Sequence, residues 1–205
     1  MNFKLVTLED INEMDKRCRT NFINSLSGFK SLNLAGTFSN LTQNFNLAPV
    51  SSVIHVGAQP PLMGLLFRPD SVPRHTLENI RETGFWTLNH VCEEFVKKAH
   101  QTSARYNRDI SEFEAAGLTA VYEDFPAPFV KESKIRIGLQ LEESYDLKSN
   151  GTHFIVGKVL RVCLPMHVLA DDGFVDLEEA GTLTVSGLDS YHKTSLISRL
   201  PYAKP

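Results

Sequence analysis

Arg68, Arg74 and His75 crowd basic side chains onto the short stretch from Phe67 to Thr76, and Ser71 and Thr76 add hydroxyl donors. The segment Phe67-Arg68-Pro69-Asp70-Ser71-Val72-Pro73-Arg74-His75-Thr76 feeds a stretch that reads as a helix from Thr76 to Thr83. Thr76 is its expected N-cap, Leu77 and Ile80 its inward face, and Gly84 lies just past its end. Cations here invert the usual preference for acidic residues in a first helical turn. Free N–H groups and the helix dipole already favour an anion at that end. A phosphate would supply the missing negative charge; a solvated basic loop is the competing reading.

A second segment, Asn46-Leu47-Ala48-Pro49-Val50-Ser51-Ser52, sets small and hydroxylic residues at what reads as the entry to a strand. Pro49 removes one backbone donor and fixes the bend. Such a stretch lets backbone N–H groups approach a planar ligand closely, and an ordinary strand entry is the alternative. No GxGxxG, P-loop, GxSxG or HExxH pattern occurs. The histidines (His55, His75, His90, His100, His153, His167 and His192) show no metal-ligand spacing, so no metal is expected. Cys18, Cys92 and Cys163 are far apart and form no CxxC pair, as expected of reduced and mostly buried thiols.

The elements that must position these residues are mainly strands. Phe29 to Thr37, Val50 to Val56 and Leu62 to Phe67 read as strands, with a turn from Gly57 to Pro61. The clearest is Ile135 to Leu141, whose apolar residues alternate with Arg136, Gly138 and Gln140. Asn150-Gly151 marks a hairpin, and Phe154 to Leu164 is apolar on both faces except at Lys158 and Arg161, as in a central strand. Helices are short: Thr76 to Thr83, Val91 to about Ala99, and a brief one behind the capping-box pattern Ser111-Glu112-Phe113-Glu114, closed by Gly117. Asn40-Leu41-Thr42 and Asn150-Gly151-Thr152 read as turn residues. Strands this close in sequence pair antiparallel, and the pattern suggests a closed β-barrel with short helical insertions.

With 205 residues and 42% apolar content, the chain suits one domain behind a polar, partly helical lead-in over residues 1–27. The formal charge of −3, without a Lys/Arg-rich window, argues against a nucleic-acid partner. No apolar run approaches the roughly 18 residues of a membrane span. The N-terminus turns acidic where a signal peptide would be apolar. A cytoplasmic protein without a membrane partner is expected.

Asn46-Leu47-Ala48-Pro49-Val50-Ser51, then Pro60-Pro61-Leu62, then Thr76-Leu77-Glu78-Asn79-Ile80, resemble the flavin reductase-like FMN-binding split-barrel proteins. Glu112-Phe113-Glu114-Ala115-Ala116-Gly117-Leu118-Thr119 is similar to that family's post-barrel helix. The resemblance runs from residue 28 to residue 205. It implies a six-stranded antiparallel split β-barrel of Greek-key arrangement and a homodimer with FMN near its interface. By position, Asn46, Leu47, Ala48, Pro49, Val50, Ser51 and Ser52 correspond to the strand edging the flavin ring. Arg68, Arg74, His75, Thr76 and Asn79 correspond to the phosphate side. Thr102 and Ser103 fall where many members place hydroxyls near the flavin, and Asn89 and His90 are further candidates.

Three departures stand out. Many members have Lys-Asp-Thr where this chain has Arg74-His75-Thr76, Asn40 to Asn44 lacks a glycine turn, and the tail Gly187-Leu188-Asp189-Ser190-Tyr191-His192 differs from that of the short reductases that feed monooxygenases. The resemblance implies an FMN-binding oxidoreductase, with NAD(P)H as co-substrate and a small-molecule or protein electron acceptor. The cofactor would carry the chemistry, so no acid–base dyad is required. An FMN-binding electron carrier or flavin-storage protein is the alternative from another class. A third, a relative that binds haem or no cofactor, would differ in its visible spectrum.

Overall fold

Thr7 opens the first helix through a reciprocal cap. Its hydroxyl accepts the Asp10 N–H at 3.3 Å, and the Asp10 carboxylate accepts the Thr7 N–H at 2.7 Å. In the computed structural model, which describes residues 1–204, this helix is α1 (Leu8–Glu13). Asp15 then caps α2 (Lys16–Leu26) by accepting from the Arg17 and Cys18 N–H groups. Neither helix has a buried residue, as a polar lead-in requires. Lys30 ties α2 to the body, its Nζ donating to the carbonyls of Asn24 and Gly187 at 3.1 and 3.0 Å.

The strands follow. They are β1 (Lys30–Ser31), β2 (Asn33–Ser39), β3 (Asn44–Val50), β4 (Val53–Ala58) and β5 (Pro61–Phe67), then α3 (His75–Thr83) and β6 (Phe85–His90). A 3-10 turn at Glu93–Phe95 leads into α4 (Val96–Gln101), followed by α5 (Glu112–Ala116), β7 (Ala120–Val121) and β8 (Phe129–Val130). The long strands β9 (Arg136–Leu147) and β10 (Thr152–Cys163) precede the small β11 (Thr184–Ser186) and β12 (Ser190–His192). The main sheet is antiparallel and has seven strands where the resemblance implies six, in the order β3-β2-β6-β9-β10-β5-β4. β10 is interior to it, as its apolar pattern anticipates.

The sheet's two edge strands, β3 and β4, are consecutive in the chain and joined only by Ser51 and Ser52. Laid flat, seven strands would hold their edges roughly 29 Å apart at ordinary strand spacing. The step from Val50 to Val53 spans at most about 11 Å. The sheet therefore curls until the end of β3 reaches the start of β4, and the seam is the two-serine link at that corner. Inside the curl, Ala35, Leu65, Trp86, Leu88, Ile137, Leu139 and Ile155 pack together. Leu77 and Ile80 of α3 join them, each fully burying a side chain worth about 1.5–3 kcal/mol. A second cluster, with Leu34, Leu47, Phe95 and Phe113, lies where α4 and α5 cover β2 and β3.

Several boundaries differ from the sequence expectation, each for a local reason. The expected strand Phe29 to Thr37 divides at Leu32 into β1 and β2, which belong to different sheets. Val50 to Val56 is not one strand but the end of β3, the two-serine link and the start of β4. Asn46 to Val50 thus lie in the closing half of a strand rather than at its entry. Val91 and Cys92 are buried before the helix that was expected to include Val91. α3 starts one residue earlier than expected, with Arg74 as N-cap and no side-chain cap bond, so Thr76 sits inside the first turn. Ser111 is the N-cap of α5 but its hydroxyl makes no cap bond, so the expected box does not close. Gly84 ends α3 at φ +77°, where a residue without Cβ is favoured. The thiols are unpaired, but only Cys92 is buried, while Cys18 is exposed. No helix among the described residues is long and apolar enough to cross a membrane.

Candidate functional site

β3 presents an unpaired edge to its surroundings, and its sequence disposes of the donors there. In an antiparallel pair, alternate residues aim their N–H groups at the partner and away from it. The Leu47 N–H points away from β2 and donates to Glu112 Oε2 of α5 at 2.9 Å. Phe45, two residues earlier, donates its N–H to Asn44 Oδ1 at 2.8 Å. Two residues later stands Pro49, which has no N–H. Burial raises the Glu112 carboxyl pKa while the Leu47 N–H opposes the shift. Backbone donors near the seam are thereby left to Ser51 and Ser52. The Ser52 carbonyl accepts the Leu66 N–H at 3.3 Å.

Behind that edge lies a buried knot of amides and hydroxyls. Asn46 Nδ2 donates to Thr76 Oγ1 at 2.8 Å and to Thr37 Oγ1 at 3.3 Å. Asn79 Nδ2 donates to the same Thr37 oxygen at 3.0 Å. All four residues are buried, and Asn79 Oδ1 has no partner among the described residues. A buried acceptor without a partner costs about 1–3 kcal/mol, so this atom is poised for a donor from water or a ligand. The knot fixes α3 to β2 and β3 and so sets where the arginine loop ends.

In that loop, Arg74 Nε and Nη2 both donate to the Pro69 carbonyl, at 3.2 and 3.1 Å. Its backbone N–H donates to Glu78 Oε1 at 3.2 Å, and Glu78 also pairs with Arg108. Burial lowers the Arg74 pKa, and repulsion from Arg68 and Arg105 adds to the shift, against Asp70. Arg68 likewise depresses Lys30, whose larger cause is burial. His75 corrects the sequence reading. Burial, then Arg108, push it below its ordinary value, so it is neutral at neutral pH and adds no cation. Arg105 and Arg108 take that place. Four guanidinium groups against the carboxylates of Asp70 and Glu78 leave an excess of positive charge, the condition that an anion relieves.

The structure therefore brings Asn46, Thr76 and Asn79 together, and sets Arg68 and Arg74 in the loop beyond. Thr76 and Asn79 turn into the buried knot rather than outward beside the arginines. Other candidates have different work. Asn89 is fully buried, donating to the Leu34 carbonyl at 3.0 Å and accepting from the Val130 N–H at 2.9 Å. His90 Nδ1 lies 3.1 Å from Thr182 Oγ1, and burial drives its pKa down to about 4. Thr102 bonds the Ala99 carbonyl at 2.7 Å and so finishes α4, while Ser103 is exposed. Sequence reasoning missed Thr37, Glu112 as the partner of Leu47, and the pair Arg105 and Arg108. The basic spacing Arg105-Tyr106-Asn107-Arg108 was the available signal for the pair. Asn44 Nδ2 fastens that segment to β3 by donating to the Asp109 carbonyl at 3.1 Å.

Known proteins share this fold. The Flavin reductase like domain matches residues 33–178. A candidate flavin reductase with a split barrel domain from Shewanella frigidimarina superposes with a TM-score of 0.94 at 50% identity, covering 98% of this chain and 100% of that one. Nitrilotriacetate monooxygenase component B from Bacillus cereus superposes at 0.85 with 23% identity, over 98% of this chain and 100% of its own. That second likeness is one of fold. An uncharacterized protein from Halalkalibacterium halodurans is 32% identical over 138 residues, which span 64% of this chain and 64% of that protein. With its curled seven-stranded antiparallel sheet and the matched domain, the chain belongs to the flavin reductase-like family of split-barrel proteins.

Proposed function

We propose that the chain is an FMN-binding oxidoreductase that uses NAD(P)H to reduce a second flavin, another small molecule or a protein acceptor. The observation that carries this reading is the arginine loop, where cations repel one another beside a buried polar knot with an unpaired acceptor. Those residues fit a phosphate-bearing flavin: Arg68 and Arg74 on the phosphate, the Asn46–Thr76–Asn79 knot behind it, and the Ser51–Ser52 backbone toward the ring. Bound FMN would supply hydride and electron chemistry that no side chain here offers. The protein's own part is to bind and orient. Arg74, braced on the Pro69 carbonyl, keeps Nη1 and one Nη2 hydrogen for an anion. Glu112 keeps the β3 edge closed to water and to other acceptors.

FMN rather than FAD follows from a phosphate-sized cluster in a chain without a dinucleotide fingerprint. A homodimer belongs to the same reading. Tyr145, Phe154 and Leu66 form a cross-strand row on the outer face of β9, β10 and β5. Tyr145 and Leu66 are exposed there, as are Ile54, Leu160 and Val162 on neighbouring stretches, and a second copy would cover them. Cytoplasmic residence is the compartment proposed.

Purification and aerobic assay test the reading. A yellow protein whose released chromophore is FMN, and which oxidises NADH or NADPH, is expected. FMN without nicotinamide turnover would convert the reading to an electron carrier. Release of FAD, or no uptake of FMN on reconstitution, would overturn it. Sedimentation showing a flavin-loaded 23.0 kDa monomer at micromolar concentration would remove the dimer.

A further inference from the structure

His153 stands where three parts of the chain meet, outside the residues assigned above to the flavin. It is 6% exposed on β10, paired in register with Asp146 of β9 and Phe67 of β5. Its Nδ1 lies 2.6 Å from Asp146 Oδ1, an oxygen that also accepts from Arg81 Nη2 at 2.8 Å. Arg81 Nη2 itself lies 3.3 Å from the same ring nitrogen. On the other side, His153 Nε2 lies 3.0 Å from Asp70 Oδ2, off the axis of an aligned hydrogen bond. Arg81 comes from the last turn of α3, and Asp70 from the loop that carries Arg68 and Arg74.

A neutral imidazole has one N–H and one lone pair. With the proton on Nδ1, the Nε2 lone pair faces a carboxylate oxygen. With the proton on Nε2, the Nδ1 lone pair faces Asp146 at still shorter range. Only the imidazolium turns a proton toward both carboxylates. Asp70 also has a competing attraction, because its charge supports the protonated guanidinium of Arg74. Released from His153, the exposed Asp70 is free to swing to the arginines and contend with a bound phosphate.

We propose that the His153 imidazolium is a positioning residue for the phosphate site, drawing Asp70 away from Arg74 so that phosphate binding is strongest while His153 is protonated. The inference rests on the reading of the arginine loop as the phosphate site. Its sign is fixed: the benefit is present while the imidazole carries both protons and is lost when it gives one up. The second ionisation of a phosphate monoester works in the opposite sense, so the comparison is between proteins at one pH.

Fluorescence-quenching titrations of FMN and riboflavin, between about pH 5 and 8, test this on the wild type, Asp70→Asn, His153→Gln and Arg74→Ala. NMR follows the His153 ring protons over the same range. Asp70→Asn is expected to bind FMN like the wild type at the acid end and about two- to fivefold more tightly at the alkaline end, the scale of a partly exposed ion pair. His153→Gln is expected to show no such pH step, and riboflavin none in any protein. The wild-type step should coincide with the NMR titration of His153. A ratio of Asp70→Asn to wild-type affinity that stays flat with pH overturns the proposal, and Asp70 is exposed enough that its variant does not threaten the fold. The underlying reading fails separately, if Arg74→Ala leaves the preference for FMN over riboflavin untouched.

Discussion

Glu112 and Leu47 are 65 positions apart in sequence, yet the carboxylate of one accepts the backbone N–H of the other at 2.9 Å. This bond lets a short helix close the open edge of a sheet. The edge residue is fully buried, so its N–H has no water to turn to.

Glu112→Ala should therefore destabilise the protein by about 1–3 kcal/mol, the cost of a buried donor left without a partner. Glu112→Gln keeps an acceptor and removes a charge that burial already disfavours, so it should lie within about 1 kcal/mol of wild type at neutral pH. Urea unfolding of the three proteins, with unchanged m-values, is the measurement.

His90 makes stability depend on acid. Its folded pKa of about 4 lies below the ordinary value of 6.5, so the unfolded chain takes up the proton first. This contribution is fully present above about pH 6.5 and is lost as pH falls toward 4, amounting to at most about 3 kcal/mol. The slope of unfolding free energy against pH in that window should flatten in His90→Gln.

Gly157 lies under Trp86: a Cβ placed there would stand 2.1 Å from the indole Cη2. The ring is buried in the barrel and cannot retreat without displacing its neighbours. Gly157→Ala should cost about 1–3 kcal/mol through overpacking. Thermal unfolding checks it, and near-ultraviolet circular dichroism should report the displaced tryptophan.

Arg74→Ala should weaken FMN binding by about 10- to 150-fold, the worth of one charge-assisted hydrogen bond. Riboflavin, which lacks the phosphate, should be held as before. Equal losses for both flavins would mark a folding defect, and no loss for either would take Arg74 out of the site.

The parts of the fold legible in the sequence were those written in local patterns. Ile137 and Leu139, with Ile135 just ahead of them, alternate because the start of β9 buries one face, and Asn150-Gly151 turns because Gly151 adopts φ +73°. The arginine loop was legible because its residues are contiguous. What depended on distant partners was not. Thr76 looked like a cap, yet its oxygen accepts from Asn46, 30 residues away, and the helix starts before it. Glu114 looked like the second half of a capping box, while the neighbouring Glu112 was bound for another strand. Arg105 and Arg108 lie beyond two helices from Arg74, and only the folded chain brings their charges to bear on the same loop. His75 looked cationic because composition does not register burial.

The two-serine link between β3 and β4 acts as a clasp on an otherwise open ring. Cutting the backbone at Ser51–Ser52 would part the end of β3 from the start of β4, which no strand ladder joins, and each edge would be a template for pairing with another chain. Cutting at Asn150–Gly151 would leave β9 and β10 stitched along their length. The same single break would thus unfasten the barrel at one turn and pass almost unnoticed at the other.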